Sequence, residues 1–256
     1  THFSFSQMQN YEKCPLKYKF GNVLKIPTKG SHYFSFGSTI HNTLQKYLEQ
    51  CIGNAQPDLF SENKGDGKMT VLPLKKLLEI YDASWIDDWY DNSRGKEKYR
   101  QKGKELLNTF HEQFSVEKPA VRMLEHKFHV KIGGYMFSGR IDRIDDVADG
   151  KVEIIDYKTG GSPKGGKLET DDRRQLLLYQ IVAESVLKQP VEKLTYYYLE
   201  EGKRLSFVGK DKDKVALEER FVNDIGNIKA QKFEPTPSEH VCKYCEYRDI
   251  CEYKKI

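Results

Sequence analysis

The stretch "GRIDRIDDVADGKVEIIDYKTGG", residues 139–161, carries the strongest indication of the architecture of this chain. Its two halves have the short alternating or continuous apolar pattern of β-strands, and "ADGK" between them is a turn signal, so the stretch predicts an antiparallel hairpin. The second strand ends in Asp156 and Lys158. Because these residues are two apart, their side chains point to the same face of the strand. Gly160 and Gly161 follow, and there the backbone can approach a bulky ligand closely.

The segments around this hairpin predict a mixed α/β architecture. Apolar residues recur at helical spacing over 36–52, which indicates an amphipathic helix. Residues 54–118 are predicted to be a helical insertion, which contains a loop and two helices over 54–72, 73–91 and 96–116. After the hairpin, the pattern predicts a helix, a second hairpin and a last helix over 171–188, 193–210 and 212–230. This order of elements favours one α/β domain with a mixed sheet.

We expect that domain to have four parts. They are the N-terminal helices, the helical insertion, a catalytic core and a C-terminal helix with a Cys-rich tail, over 1–53, 54–118, 119–210 and 211–256.

The composition admits a nucleic-acid partner without requiring one. The chain has 256 residues, of which 38% are hydrophobic, so it can bury a core without the help of disulfides. Its 42 basic residues are nearly matched by 38 acidic ones, and the formal net charge is +4. This balance is compatible with an ordinary globular protein and with a polyanion-binding protein. No apolar run approaches the length of a membrane span, and no secretory signal opens the chain, so we expect no membrane partner.

The first residue and the cysteines predict the origin and the compartment of the chain. It begins at Thr1 rather than at Met, which we interpret as a fragment of a longer protein or a processed form. An odd number of cysteines without a secretion signal argues against a disulfide framework and favours a reducing, cytoplasmic compartment. The five are Cys14, Cys51, Cys242, Cys245 and Cys251.

The hairpin predicts a metal site. Asp142 on its first strand and Asp156 on its second can lie roughly 5 Å apart on one face. Two such carboxylates repel each other, and Mg²⁺ or Mn²⁺, which prefers oxygen ligands, would remove the repulsion. Lys158 could then orient a water or stabilise charge on a phosphate oxygen. A surface salt bridge beside a turn is the alternative, and it is favoured if the Asp–Lys pair is taken alone. Gln175 and Tyr179 are four apart on the next helix and share a face.

Three segments together resemble a known nuclease family. They are the hairpin, the following "RRQLLLYQ" and the upstream "FGSTIHNTLQKYL". In this order they are similar to the RecB/AddB-like branch of the PD-(D/E)XK nuclease superfamily, although "RID" replaces the leading Pro of the motif. The resemblance implies a restriction-endonuclease-like fold, a mixed β-sheet core flanked by helices.

The resemblance also implies roles for individual residues. Asp142, Asp156 and His41 would be metal ligands, and Lys158 would be the catalytic lysine. Gln175 and Tyr179 would form the motif that follows the core hairpin. Glu125 would be an additional acid that acts on the metal through water, and an exposed strand residue is the alternative for it.

The cysteines predict a second cofactor site. Cys242, Cys245 and Cys251 have the spacing C-x2-C-x5-C, and Cys14 is available from the other end of the chain. Four thiolates bind Zn²⁺ or a [4Fe–4S] cluster, and chemistry alone favours zinc. The resemblance instead implies [4Fe–4S], because relatives in this branch place one cysteine before the nuclease core and three after it. Either group would link the N-terminal segment to the C-terminal tail. Cys51 is left as a core thiol.

These features predict a metal-dependent deoxyribonuclease of the exonuclease type, acting on single-stranded DNA or duplex ends. The chain lacks a P-loop and so has no motor of its own. Its opening segment looks like the start of the nuclease domain of UvrD/RecB-type helicases, so the resemblance implies a helicase partner, in cis or in trans, and a role in DNA repair or recombination. The competing hypothesis is a non-catalytic module that binds DNA ends and keeps the fold and the cysteine site.

Overall fold

The computed structural model describes residues 2–53 and 69–255. Of the predicted loop over 54–72, residues 54–68 lie outside the described residues. The α-helices of the described ranges are α1 (Phe5–Lys13), α2 (Pro15–Tyr18), α3 (His32–Gly53), α4 (Leu74–Ser84), α5 (Ser93–Glu117), α6 (Thr170–Ser185), α7 (Asp211–Lys229) and α8 (Glu239–Lys243). None of the helices in these ranges has both the length and the apolar character needed to cross a membrane.

The strands of the described residues form a six-stranded mixed sheet. They are β1 (His2–Phe3), β2 (Ala120–Ile132), β3 (Tyr135–Asp146), β4 (Val152–Lys158), β5 (Val191–Tyr198) and β6 (Lys203–Phe207). Their order is β1-β3-β4-β5-β6, and β2 also pairs with β3. The pairs β3–β4 and β5–β6 are antiparallel, as the two predicted hairpins require, whereas β4 and β5 are parallel and are connected through α6. The predicted α/β class with a mixed sheet and flanking helices is confirmed.

The predicted insertion helix over 73–91 is shorter than expected. Helix α4 ends at Ser84, because Trp85 has extended backbone angles (φ −62°, ψ 126°). The following residues are rich in Asp and Asn, which favour turns. Asn92 then caps α5 by accepting a hydrogen bond from the Gly95 N–H at 2.8 Å. The prediction was too long because the aromatic and apolar residues of 85–90 continue the helical spacing of the preceding residues.

The described part of the chain divides into two compact units. The larger unit comprises Gly30–His126 and Arg140–Gly209. Its core is formed by apolar side chains of α3, α4, α5, β4 and β5, and α6 packs on β4 and β5. On α3, the residues that the 3.6-residue periodicity predicted to be apolar are fully buried; they are Ile40, Leu44, Tyr47, Leu48 and Cys51.

The smaller unit brings both ends of the chain together. It comprises Thr1–Lys29, Lys127–Gly139 and Lys210–Ile256. Helix α1 packs against α7, and the Tyr11 hydroxyl donates a hydrogen bond to the Lys232 carbonyl at 2.8 Å. The Tyr18 ring stacks on Phe233 with centroids 6.3 Å apart. The layout of one domain in four parts stays a prediction.

Candidate active site and metal centre

Two acidic side chains are buried on neighbouring strands, as the hairpin pattern predicted. Asp142 lies on β3 and Asp156 on β4, and they are 9% and 2% exposed. Arg143 pairs with Ile155 in the antiparallel ladder, so the same register extended by one residue places Asp142 opposite Asp156. Burial near another negative charge raises the free energy of an ionised carboxylate. The strands therefore hold two buried acidic side chains opposite each other.

His41 and Glu125 join Asp142 in a compact group of possible metal ligands. His41 Nδ1 lies 3.4 Å from Asp142 Oδ2 and 4.0 Å from Glu125 Oε1. One ligand atom of each residue lies within 4.8 Å of the others. Helix α3 supplies His41, because the buried face of this helix, which includes Ile40, packs into the core and leaves the next residue at its edge. Sequence analysis gave Glu125 a secondary place, whereas the structure places it inside this group.

The backbone at Glu125 has a conformation that the sequence gave no means of predicting. Glu125 has φ +48° in the middle of β2, and positive φ is rare for residues other than glycine. Such outliers occur often at functional sites, where they aim a side chain. Arg140 Nε lies 2.5 Å from Glu125 Oε2. Sequence analysis missed Arg140, although its position two residues before Asp142 indicates that the two side chains share a face of β3.

Lys158 is fixed by a chain of polar contacts. Its Nζ lies 2.6 Å from Asp156 Oδ2 and donates a hydrogen bond to Gln175 Oε1 at 3.0 Å. Gln175 Nε2 in turn donates to the Tyr179 hydroxyl at 2.8 Å. The Lys158 ammonium also lies 4.8 Å from the ring centroid of Tyr196, a cation–π contact. The salt bridge of the simpler interpretation is therefore present, within a set of contacts that hold the ammonium in place.

Burial and mutual repulsion shift the acid–base equilibria of the site. Burial, with the charge of Asp142, raises the pKa of Glu125 to about 7 against the opposing effects of Arg140 and His41. Burial raises the pKa of Asp156 to about 6, with Lys158 opposing the shift and Asp142 adding to it. For His41, burial disfavours protonation, but the hydrogen bond and charge of Asp142 and the charges of Asp156 and Glu125 outweigh it and raise the pKa to about 8. For Glu125 and Asp156, burial and the charge of Asp142 thus oppose ionisation more strongly than the neighbouring cations favour it.

Within this site, two buried carboxylate oxygens lack a hydrogen bond to any described residue. They are Glu125 Oε2 and Asp156 Oδ2, each close to a cation but outside hydrogen-bonding geometry. Buried acceptors are normally satisfied, and a divalent cation is one way to satisfy them. Carboxylate oxygens suit Mg²⁺ and Mn²⁺, and an imidazole nitrogen is a frequent further ligand of transition metals. The donor set and the unsatisfied oxygens therefore fit a divalent cation.

A buried network behind the site supports Asp142 and His41. Asp142 Oδ2 accepts a hydrogen bond from the Tyr157 N–H at 2.9 Å, and the Tyr157 ring lies edge-on to His41. Arg143 is fully buried and donates to the Tyr157 hydroxyl at 3.1 Å and to Asp145 Oδ1 at 2.6 Å. Such outer contacts orient metal ligands. Sequence analysis missed this network, although an arginine two residues from an acid on a buried strand is a signal for it.

Four cysteines line one pocket in the smaller unit. They are Cys14, Cys242, Cys245 and Cys251. The empty volume of this pocket is about 380 Å³, which includes open solvent. All four are free thiols, and burial raises the pKa of Cys245, with the neighbouring Cys14 adding a small contribution. Cys51 is fully buried in the core of the larger unit. The structure thus brings together the four cysteines that the sequence grouped.

Comparisons with known proteins place the chain in one family. The model of the PD-(D/E)XK nuclease superfamily matches residues 2–252. The Gene 69 protein of Mycobacterium phage D29 is 22% identical over 268 residues, with 97% of this chain and 95% of the relative covered. The Gene 69 protein of Mycobacterium phage L5 is 21% identical over 296 residues, with the same shares covered.

A solved structure supports the same fold. It is a protein of Eubacterium rectale that is provisionally described as an exonuclease, and it matches with a TM-score of 0.57 and 11% identity over 100% of this chain and 90% of its own. Because the superfamily model spans almost the whole sequence, the chain belongs to the PD-(D/E)XK nuclease superfamily.

Proposed function

We propose that this protein is a divalent-metal-dependent deoxyribonuclease of the exonuclease type. One observation carries the proposal: His41, Glu125 and Asp142 offer three ligand atoms within 4.8 Å of one another, in a chain whose superfamily consists of nucleases. The Asp156–Lys158 pair lies on the adjacent strand β4. The provisional description of the Eubacterium rectale protein supports the exonuclease type, and it is a statement about that protein.

In this proposal each residue of the site has a separate task. Asp142, His41 and Glu125 would hold Mg²⁺ or Mn²⁺, and Asp156 would complete the ligand set from β4. When bound, the ion would polarise the scissile phosphate and lower the pKa of a coordinated water. The charge of each carboxylate would then be balanced, so that all of them could be ionised at neutral pH.

Lys158 would stabilise the negative charge that develops on the phosphate. Its ammonium is already held by Asp156 and Gln175 and lies over the Tyr196 ring, so little reorganisation is needed during the reaction. Preorganised donors of this kind supply a large part of enzymatic rate enhancement. Lys158 Nζ would donate to a non-bridging phosphate oxygen or to the attacking water.

The metal requirement gives the first test of the function. Protein stripped with EDTA is expected to leave labelled single-stranded and duplex DNA intact, and added Mg²⁺ or Mn²⁺ is expected to restore cleavage. An ion at 100 times its dissociation constant stabilises the folded state by about 2.7 kcal/mol, which for a chain of this size raises the melting temperature by roughly 5–10 °C. Cleavage in EDTA, or an equal thermal shift in a His41→Ala/Glu125→Gln variant, would contradict the proposal. Tight DNA binding without cleavage in any metal would favour the non-catalytic DNA-end-binding module.

Gln175 is proposed to be a positioning residue for Lys158. Gln175→Ala removes the amide oxygen that accepts a hydrogen bond from Lys158 and leaves the ion pair with Asp156. We expect it to lower kcat by about 10-fold or more, with KM for DNA changed less than about 2-fold. Steady-state cleavage kinetics measure this split, with the exposed Gln50→Ala as the matched control. Tyr179→Phe removes only the hydroxyl that accepts a hydrogen bond from Gln175, and it leaves the contact between Gln175 and Lys158. It should therefore have a smaller effect. A rise in KM with unchanged kcat would show that Gln175 binds DNA instead.

We also propose that the four cysteines of the smaller unit bind a [4Fe–4S] cluster. Their convergence on one pocket supports a four-thiolate site, and the resemblance to the RecB/AddB-like branch favours iron over zinc. One cysteine comes from the N-terminal segment and three from the C-terminal tail, so the cluster would connect the two chain ends. A Zn²⁺ site with the same four ligands is the alternative. The expected helicase partner, the role in DNA repair and the cytoplasmic location stay predictions.

A further inference from the structure

Two consecutive aromatic side chains at the start of α3 are largely exposed. Tyr33 is 68% and Phe34 is 76% exposed. Single exposed apolar residues are common, but these two are consecutive on α3, and Tyr33 belongs to a larger group of aromatic rings. The core does not need them, since the buried face of α3 begins with Ser35 and Phe36. Their exposure calls for a role outside folding.

The position of Phe34 on α3 points toward the metal centre. Phe34 and His41 are seven residues apart on the same helix, so they share a face and lie about 10.5 Å apart along the helix axis. Gly37 lies between them, and a Cβ atom built there would be 3.8 Å from Thr159 Oγ1. Thr159 directly follows Lys158 on the chain. The helix face from Phe34 to His41 therefore runs past a glycine, where a bulky ligand can come close to the backbone.

The rings beneath Tyr33 hold it in place. Tyr99 of α5 contacts Tyr33 edge-on with centroids 6.2 Å apart, and its centroid lies 5.0 Å from that of His32. Tyr90 contacts Tyr99 at 5.8 Å and stacks on Trp85 at 5.3 Å. The Tyr90 hydroxyl is buried and has no hydrogen-bond partner within the described ranges. The exposed Tyr33 ring thus rests on a layer of aromatic rings and loses little freedom when a ligand stacks on it.

Basic side chains lie beside this layer. Residues 93–104 of α5 contain six basic residues and one acidic residue, and Tyr99 lies among them. Lys96 and Lys102 are three residues before and after Tyr99 and so share its face of the helix. Both form ion pairs, with Asp87 and Glu200 respectively, but these pairs are on the surface. Surface ion pairs are weak, so a phosphate group can take the place of the carboxylate.

We propose that Tyr33 and Phe34 form a stacking platform for the bases of single-stranded DNA that enters the metal centre. The inference rests on the proposed nuclease function and specifies its substrate class. In a duplex the faces of the bases are covered by their neighbours, whereas an unpaired strand offers them to aromatic side chains. Alternation of aromatic rings with basic residues is typical of single-strand binding. Lys96 and Lys102 would contact the phosphates of the same strand.

The test measures DNA binding in EDTA, where no cleavage occurs. A fluorescently labelled single-stranded oligonucleotide and its blunt duplex are titrated with protein, and anisotropy gives the dissociation constants. Phe34→Ala is expected to weaken single-strand binding by about 5- to 150-fold, the range for one stacked base, and duplex binding by less than about 2-fold. Tyr33→Ala should have an effect in the same direction. Phe34→Tyr keeps a stacking ring and should bind within 2-fold of wild type.

The control and the contradicting outcomes separate this inference from the nuclease proposal. Val116 is 85% exposed near the end of α5, so Val116→Ala removes exposed apolar surface elsewhere and should leave binding unchanged. Unchanged single-strand affinity in Phe34→Ala overturns the platform, even if the wild-type protein cleaves DNA. The platform stands and the nuclease proposal fails if Phe34→Ala weakens binding but no metal supports cleavage by the wild type. Loss of self-association in Phe34→Ala, with DNA affinity intact, would assign the rings to a protein interface and overturn the platform.

Discussion

Asp142→Asn is expected to slow DNA cleavage by at least about 1000-fold under single-turnover conditions. The substitution removes a buried charge that lies 3.4 Å from His41 and opposite Asp156. It keeps a carbonyl oxygen, which can still accept the hydrogen bond of the Tyr157 N–H. The variant should therefore fold, and its loss of activity would follow from a weakened metal centre. Cleavage of a 5′-labelled single strand in Mn²⁺ measures the rate, and circular dichroism checks the fold.

Asp146→Asn is the matched control for this experiment. Asp146 is on the same strand as Asp142 but is exposed, and it forms an ion pair with Arg122 at 3.0 Å. Its substitution removes one negative charge from β3 without changing the candidate ligands, so we expect wild-type rates within about 2-fold. Equal cleavage rates for wild type and Asp142→Asn would contradict the proposed mechanism. A comparable loss of cleavage rate in Asp146→Asn would show that the net charge of β3, rather than loss of a metal ligand, causes the effect of Asp142→Asn.

The elements that position the site were predictable because their patterns are local. The hairpin of β3 and β4 follows from two patterned runs and a turn, and its register brings Asp142 opposite Asp156 without any long-range information. Likewise, α6 is a separate helical pattern, and the spacing of Gln175 and Tyr179 on it explains their hydrogen bond. Periodicity therefore predicts most of the strand pair that carries the candidate ligands and the motif that follows it.

The rest of the site depends on contacts that no local pattern contains. Glu125 reaches His41 through a positive φ in the middle of a strand, and a glutamate carries no signal for that backbone conformation. Arg143 is a fully buried charge, which is acceptable only because Asp145 and Tyr157 partner it in the folded chain. The irregular segment after α4 has the same origin, since its aromatic residues pack with α5 instead of continuing a helix. These features arise from tertiary packing that overrides local preference.

The second large effect is expected from loss of a cysteine ligand. Cys242 is buried in the pocket of the smaller unit, and Cys242→Ser would leave three thiolates around the proposed cluster. Because binding free energy of such a site is also folding free energy, we expect a loss of at least about 3 kcal/mol, which lowers the melting temperature by about 6 °C or more. The visible absorption of freshly purified protein and its iron and sulfide content should fall in parallel.

Cys51→Ala distinguishes a cluster ligand from an ordinary buried thiol. Cys51 lies in the core of the larger unit, so its replacement leaves a small cavity but should keep the full visible absorption and iron content. A colourless wild-type protein with one zinc ion per chain would overturn the iron assignment and keep the four-thiolate site. Equal stability and metal content in wild type and Cys242→Ser would overturn both the iron assignment and the four-thiolate site. Since the candidate catalytic residues belong to the larger unit, Cys242→Ser assayed below its melting temperature should lose far less activity than Asp142→Asn, which separates a structural cofactor from the catalytic ion.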